Sequence, residues 1–172
     1  LFFYTDLPAD ASAFTAVQKL SLLNAVAGPD IDDYDTAGKA KGLSTLEMNA
    51  YRFRPDEPIT LGEFSQMAVN GLQVPLSITA SHFTDVPRGH PAFKYIETLY
   101  DYSTQSKQSF FDFEPSKDFK TAQAHPEGRV SGERASKILS GLLKKKIPSP
   151  SNPDADLTRG KASQEVYQHL VD

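Results

Sequence analysis

The polar residues with the most regular placement are two aspartates. Asp6 lies in Tyr4-Thr5-Asp6-Leu7-Pro8, and Asp85 lies in Phe83-Thr84-Asp85-Val86-Pro87, 79 residues later. A carboxylate ahead of a proline turn has two uses. It can hydrogen-bond a sugar hydroxyl in a groove, or it can cap the amides of the turn and helix that follow. An acidic run, Asp30, Asp32, Asp33 and Asp35, raises calcium as a ligand. EF-hand spacing fails there: counted from Asp33, the fifth position is Ala37 and the twelfth is Ser44, where a bidentate glutamate is required. A solvated acidic loop is the expectation, with calcium outside the EF-hand pattern left open. His82, His90, His125 and His169 show no zinc-like spacing, and cysteine is absent, so no thiolate site exists. No Gly-x-Ser-x-Gly elbow supports a serine nucleophile. The expectation is therefore no catalysis in this chain, no cofactor and no metal.

Other polar and aromatic clusters have plain uses. Lys144, Lys145 and Lys146 end a helical pattern that starts at Gly132, where cations complement the negative helix terminus. Tyr51, Phe53, Phe110, Phe111, Phe113 and Phe119 gather between helical segments. They can pack onto a bundle or present platforms to sugar rings.

The elements that position these residues recur. After each Thr-Asp-aliphatic-Pro segment comes an apolar face at helical spacing: Phe14, Val17, Leu20 and then Leu23 or Asn24, and Phe93, Ile96, Leu99 and Tyr100. A second signature follows. Phe53-Arg54-Pro55 precedes Ile59-Thr60, Phe113-Glu114-Pro115 precedes Val130-Ser131, and a late Leu157-Thr158 has no Phe-x-Pro. Thr60, Ser131 and Thr158 stand where helix N-caps belong, and Glu63 completes a capping box with Thr60. Ile59, Val130 and Leu157 could staple onto the helices they precede. Leu43 to Tyr51 has a helical look, and Ile147 to Asp156, with three prolines, reads as an extended linker.

The predicted architecture is mostly α: helix-loop-helix repeats packed as a helical bundle, one domain over 1–172. Repeat 1 covers about 1–75, repeat 2 about 82–146 and a partial repeat 3 about 147–172, which has no first helix of its own. A single unit could not bury its apolar face alone, so the copies must pack on one another. A net charge of −4 over 172 residues excludes the basic excess of a nucleic-acid binder. No apolar run approaches the roughly 18 residues of a membrane span. The chain opens at Leu1 within patterned sequence, and it reads as the C-terminal part of a longer protein whose signal peptide lies outside this window.

These motifs resemble the S-layer homology family, whose repeat carries an aromatic-x-Asp-aliphatic-Pro segment, a first helix, a Phe-x-Pro loop and Ile-Thr-Arg-Ala-Glu opening a second helix. The matching openings are Ile59-Thr60-Leu61-Gly62-Glu63-Phe64, Val130-Ser131-Gly132-Glu133-Arg134-Ala135 and Leu157-Thr158-Arg159-Gly160-Lys161-Ala162. The resemblance implies a pseudo-threefold helical prong on a bacterial cell surface. It implies a non-catalytic module that binds cell-wall polysaccharide between repeats, with the motif arginine contributing. That arginine position is Leu61, Gly132 and Arg159 here, so Arg159 joins Asp6 and Asp85 as a candidate ligand-binding residue, with an ordinary surface or repeat-repeat ion pair as its equal alternative. Its guanidinium fork suits a carboxylate or phosphate. The alternative is a C-terminal accessory domain of a larger secreted enzyme, docking on its upstream domain and binding no glycan.

Overall fold

The computed structural model describes residues 4–26, 52–112 and 122–171. Its regular elements are helical: α1 (Phe14–Leu22), α2 (Leu61–Gly71), α3 (Phe93–Ser106), α4 (Gly132–Leu143) and α5 (Arg159–Val171). Among the described residues, extended pairing is confined to three isolated bridges. The fold is mostly α. The Asp30–Asp35 run, the expected helix over 43–51, and Tyr51, Phe113 and Phe119 lie outside the described residues.

The helical periodicity buries the residues it marked. Val17, Leu20, Ile96 and Leu99 are fully buried, and Phe93 is buried at the start of α3. They belong to one continuous apolar cluster that also takes in Phe64, Met67, Ile138, Leu139 and Val166. Helix α1 packs on α5, α2 packs on both α3 and α5, and α3 packs on α4. Phe93→Ala removes a buried aromatic from this cluster and is expected to cost about 3 kcal/mol. Thermal or denaturant unfolding measures that loss, and a neutral result would remove Phe93 from the core.

The centre of the molecule is a closed ring of backbone hydrogen bonds. The Ile59 amide donates to the Leu157 carbonyl at 2.9 Å, the Leu157 amide to Val130 at 2.8 Å, and the Val130 amide to Ile59 at 3.2 Å. The three bridges, Pro58 with Thr158, Thr60 with Arg129 and Ser131 with Asp156, lie at the same junctions. Ile59 and Val130 are fully buried and Leu157 nearly so. These aliphatic residues thus join three helix openings around one point, where stapling each to its own helix had been the expectation.

The same cyclic order satisfies the helix starts. The first two amides of α2 donate to the carbonyls of Gly128 and Pro126, both at 2.8 Å. Those of α4 donate to Ala155 and Pro153, at 3.0 and 2.9 Å, and those of α5 to Glu57 and Pro55, at 2.9 and 2.8 Å. The third amide of each helix goes to its cap hydroxyl: Glu63 to Thr60, Arg134 to Ser131 and Lys161 to Thr158, each at 3.2 Å. Unpaired amides are the usual liability of a helix N-terminus. Here neighbouring loops and local caps remove it.

This bonding corrects one assignment. The segment that stands at α4 as Phe53-Arg54-Pro55 stands at α2 is Ala124-His125-Pro126, not Phe113-Glu114-Pro115, which lies outside the described residues. Arg54 and His125 share a left-handed backbone, with φ of 59° and 54°. Before α5 the corresponding residues are Ser151-Asn152-Pro153, a proline loop without the aromatic.

Candidate functional site

Asp6 and Asp85 act on these proline loops. Asp6 accepts the Phe53 and Arg54 amides on its two oxygens, both at 2.8 Å. Asp85 accepts those of Ala124 and His125 at 2.9 and 2.8 Å. Each carboxylate thereby spans two successive amides and fixes a left-handed residue that would otherwise be unfavourable. Both carboxylates thus serve amides 39 to 48 residues further along the chain, where the sequence offered the turn and helix that directly follow or a sugar hydroxyl.

Arg159 is the first residue of α5 and is 5% exposed. Its Nε donates to the Phe53 carbonyl at 2.7 Å, its guanidinium lies 5.1 Å from the Phe53 ring centre, and one terminal nitrogen pairs with Glu63. Glu63 also accepts the Thr60 hydroxyl at 3.0 Å, so the capping box closes side chain to side chain and extends into the Arg159 pair. Burial pushes the Arg159 guanidinium down to about 10, with the Arg54 charge adding to the effect, and it stays charged at neutral pH. The structure therefore brings Asp6 and Arg159 to opposite sides of one peptide, Phe53, and leaves Asp85 on the Ala124 loop. Thr60→Ala removes both the cap and a Glu63 partner; a loss of about 1 kcal/mol is expected by chemical denaturation.

The other two motif positions are occupied by packing. Leu61 is fully buried. At Gly132 a Cβ would lie 2.7 Å from the Pro150 ring, so nothing larger than glycine fits without moving the linker. Arg134, two residues on, does what Arg159 does: its Nε donates to the Phe110 carbonyl at 2.7 Å and its Nη1 to Asp112 at 3.2 Å. Burial lowers its pKa, opposed by the Asp112 charge.

A cavity of about 1030 Å³ opens elsewhere, between the C-terminal halves of α3 and α4 and the chain that follows α4. Near it, the second residue of α4 is packed differently from those of α2 and α5. Gly62 of α2 sits 3.3 Å, measured from an added Cβ, from Ala92 at the start of α3, and Gly160 of α5 sits 3.5 Å from Ala13 at the start of α1. The residue in that place on α4 is Glu133, which is half exposed and pairs with Lys137 at 3.1 Å. No first helix of the third unit stands against α4 among the described residues. Val69 of α2 is buried, whereas the corresponding α4 residue is Ser140, which lines the cavity.

The lining is hydroxyl, amide and ammonium: Tyr102 and Gln105 from α3, Ser136, Lys137 and Ser140 from α4, and Lys144 to Lys146 beyond it. Among the described residues the lining contains no carboxylate, and Asp101 stands behind it as the 2.8 Å acceptor of Gln105. Ser65, Ser136 and Ser163 occupy one position in the three ring helices. Ser65 donates to the Gly62 carbonyl at 2.7 Å and Ser163 to Arg159 at 2.9 Å. Ser136 is 7% exposed as a residue and lines the cavity; among the described residues its hydroxyl makes no such helical bond, and its oxygen keeps solvent access there. Sequence reasoning assigned the lysines to the helix end alone and passed over Ser136. The available signal was the serine five residues after each cap, set against glycine, glutamate and glycine two residues after it.

No protein-family model matches the chain, and no curated protein matches its sequence.

Proposed function

We propose that this chain is a divergent S-layer homology module that acts without catalysis, associates with a bacterial cell surface outside the cell and binds cell-wall polysaccharide. The observation that supports the reading is the closed ring of Ile59, Val130 and Leu157. It relates three helix openings by one cyclic bonding pattern, as three repeats of a pseudo-threefold prong require. Each opening keeps its hydroxyl cap and the aspartate-held or proline-bearing loop that the resemblance brings with it.

The anchoring chemistry differs from the family's usual pattern. With Arg159 committed to Phe53 and Glu63, and the first-turn amides of all three ring helices occupied, polysaccharide must be held by other side chains. The accessory-domain alternative draws on the same facts, because commitment of the motif positions to packing suits a scaffold that docks on an upstream domain of its own protein.

Co-sedimentation with purified sacculi separates them. The polysaccharide reading expects the folded domain to leave the supernatant with sacculi that retain their polysaccharide and to remain in it with stripped sacculi. Equal behaviour toward both preparations would sink the reading and leave the accessory domain.

A further inference from the structure

We infer from the charge and the hydroxyl groups of its described lining that the cavity beside α4 takes a phosphate-bearing, hydroxyl-rich ligand such as a sugar phosphate. This goes beyond the polysaccharide reading and does not depend on it.

The charge balance comes first. Four lysines line the cavity, and Lys137 is matched by Glu133 at 3.1 Å. That leaves Lys144, Lys145 and Lys146. Helices α3 and α4 both end at this cavity, and each C-terminus contributes about half a negative charge. The two ends offset about one of the three ammonium groups, and Asp101, which accepts from Gln105 of the lining at 2.8 Å, offsets part of another, so among the described residues a surplus of about one to two positive charges remains. A phosphate monoester carries about −1.5 to −2 at neutral pH, which matches that surplus. In a chain of net charge −4 this local excess runs against the overall field.

The type of cation narrows the ligand. Arginine presents a planar fork that fits a carboxylate bidentately, whereas lysine acts as a compact point charge with rotatable donors. Among the described residues the lining has lysine and no arginine, which favours the tetrahedral oxygens of phosphate over a planar carboxylate. Hydroxyl and amide groups supply the rest. Ser136 turns its hydroxyl to the cavity, where its counterparts Ser65 and Ser163 bond back to their own helices. Tyr102, Gln105 and Ser106 line the cavity from α3; Gln105 donates to Asp101 at 2.8 Å and Ser106 to Ser103 at 3.2 Å, which leaves their oxygens to accept from sugar hydroxyls. The volume is ample for a sugar phosphate.

Backbone amide shifts and titration calorimetry on the intact 172-residue chain test the assignment. Glucose 1-phosphate should move amides within 102–109 and 136–147, and inorganic phosphate should move the same amides more weakly. Glucose and glucuronate should bind at least about 10-fold more weakly than glucose 1-phosphate, the loss expected when a charge-assisted hydrogen bond goes. The triple substitution Lys144→Ala, Lys145→Ala, Lys146→Ala touches exposed side chains and leaves the fold intact. It should weaken glucose 1-phosphate binding about 10-fold or more, and Ser136→Ala should weaken it several-fold. Glucuronate binding as tightly as glucose 1-phosphate, amide shifts confined to other residues, or an unchanged affinity in the triple variant would each overturn the proposal.

Discussion

Arg159→Ala lowers the melting temperature by about 10 °C. The substitution deletes a buried guanidinium that holds the Phe53 carbonyl, lies over the Phe53 ring and neutralises Glu63. Removing one partner of a buried ion pair costs about 3–5 kcal/mol, because the other charge is left uncompensated. Glu63 keeps 27% side-chain exposure, so solvent softens the loss and the low end, about 3 kcal/mol, is expected. At 2–4 °C per kcal/mol for a chain of this size, that gives the shift above. Arg159→Lys should recover only part of it, since an ammonium cannot reproduce the Nε bond and the ring contact together. A melting temperature within 2–3 °C of wild type would show that Arg159 is not the tie between α5 and the first unit. The result also bears on binding assays: weaker sedimentation of Arg159→Ala reports lost fold unless the variant is tested well below its melting point.

The second large effect lies at Gly141. A Cβ there would fall 2.2 Å from the Phe110 ring, and Phe110 is fully buried. Gly141→Ala must therefore displace the ring or the helix, and overpacking of this kind costs about 3 kcal/mol, near the upper end of its range. The better helix propensity of alanine returns only about 1 kcal/mol. Phe110→Leu alone is expected to destabilise by about 2 kcal/mol through lost packing, yet it makes room for the methyl group. The double variant should be more stable than the sum of the two losses by 1 kcal/mol or more, because the residues touch. Urea unfolding of the four proteins measures this coupling. Strict additivity would mean that the Phe110 ring does not rest on α4.

Much of this architecture is written locally. A hydroxyl cap followed by an apolar helical stripe marks α2, α4 and α5, and both halves of each signal are read within one helical turn or two. Val17, Leu20, Ile96 and Leu99 are buried because their spacing leaves one face for the core. The ring was not legible, because its hydrogen bonds join residues 27 to 98 positions apart that carry no mark of their partners. Phe113-Glu114-Pro115 misled because the aromatic is the conspicuous residue, whereas the ring needs the proline carbonyl. The constant feature is the step of four residues from Pro55 to Ile59, Pro126 to Val130 and Pro153 to Leu157. For Arg159 the sequence leaves a ligand contact and an ion pair equally open, and the bonds it makes to Phe53 and Glu63 are of the second kind. For Asp6 and Asp85 the residue types favour a local cap over a sugar contact, yet the amides they hold lie in loops 39 to 48 residues away, a pairing that no local spacing encodes.

The order of bonds around the ring has a consequence for synthesis. The loop that carries Pro55 and Glu57 is closed by the first amides of α5, and α1 packs on α5. A ribosome delivers the chain in the opposite sense, so the first unit waits for the last helix before its loop is satisfied. At about 5–20 residues per second, the interval from Pro55 to the end of α5 is on the order of ten seconds. During that time the Pro55 and Glu57 carbonyls and the α5-facing side of α1 wait for their partners, while Tyr4 and Asp6 already hold Phe53. The first helix and its loop therefore complete their contacts only after α5 has been made.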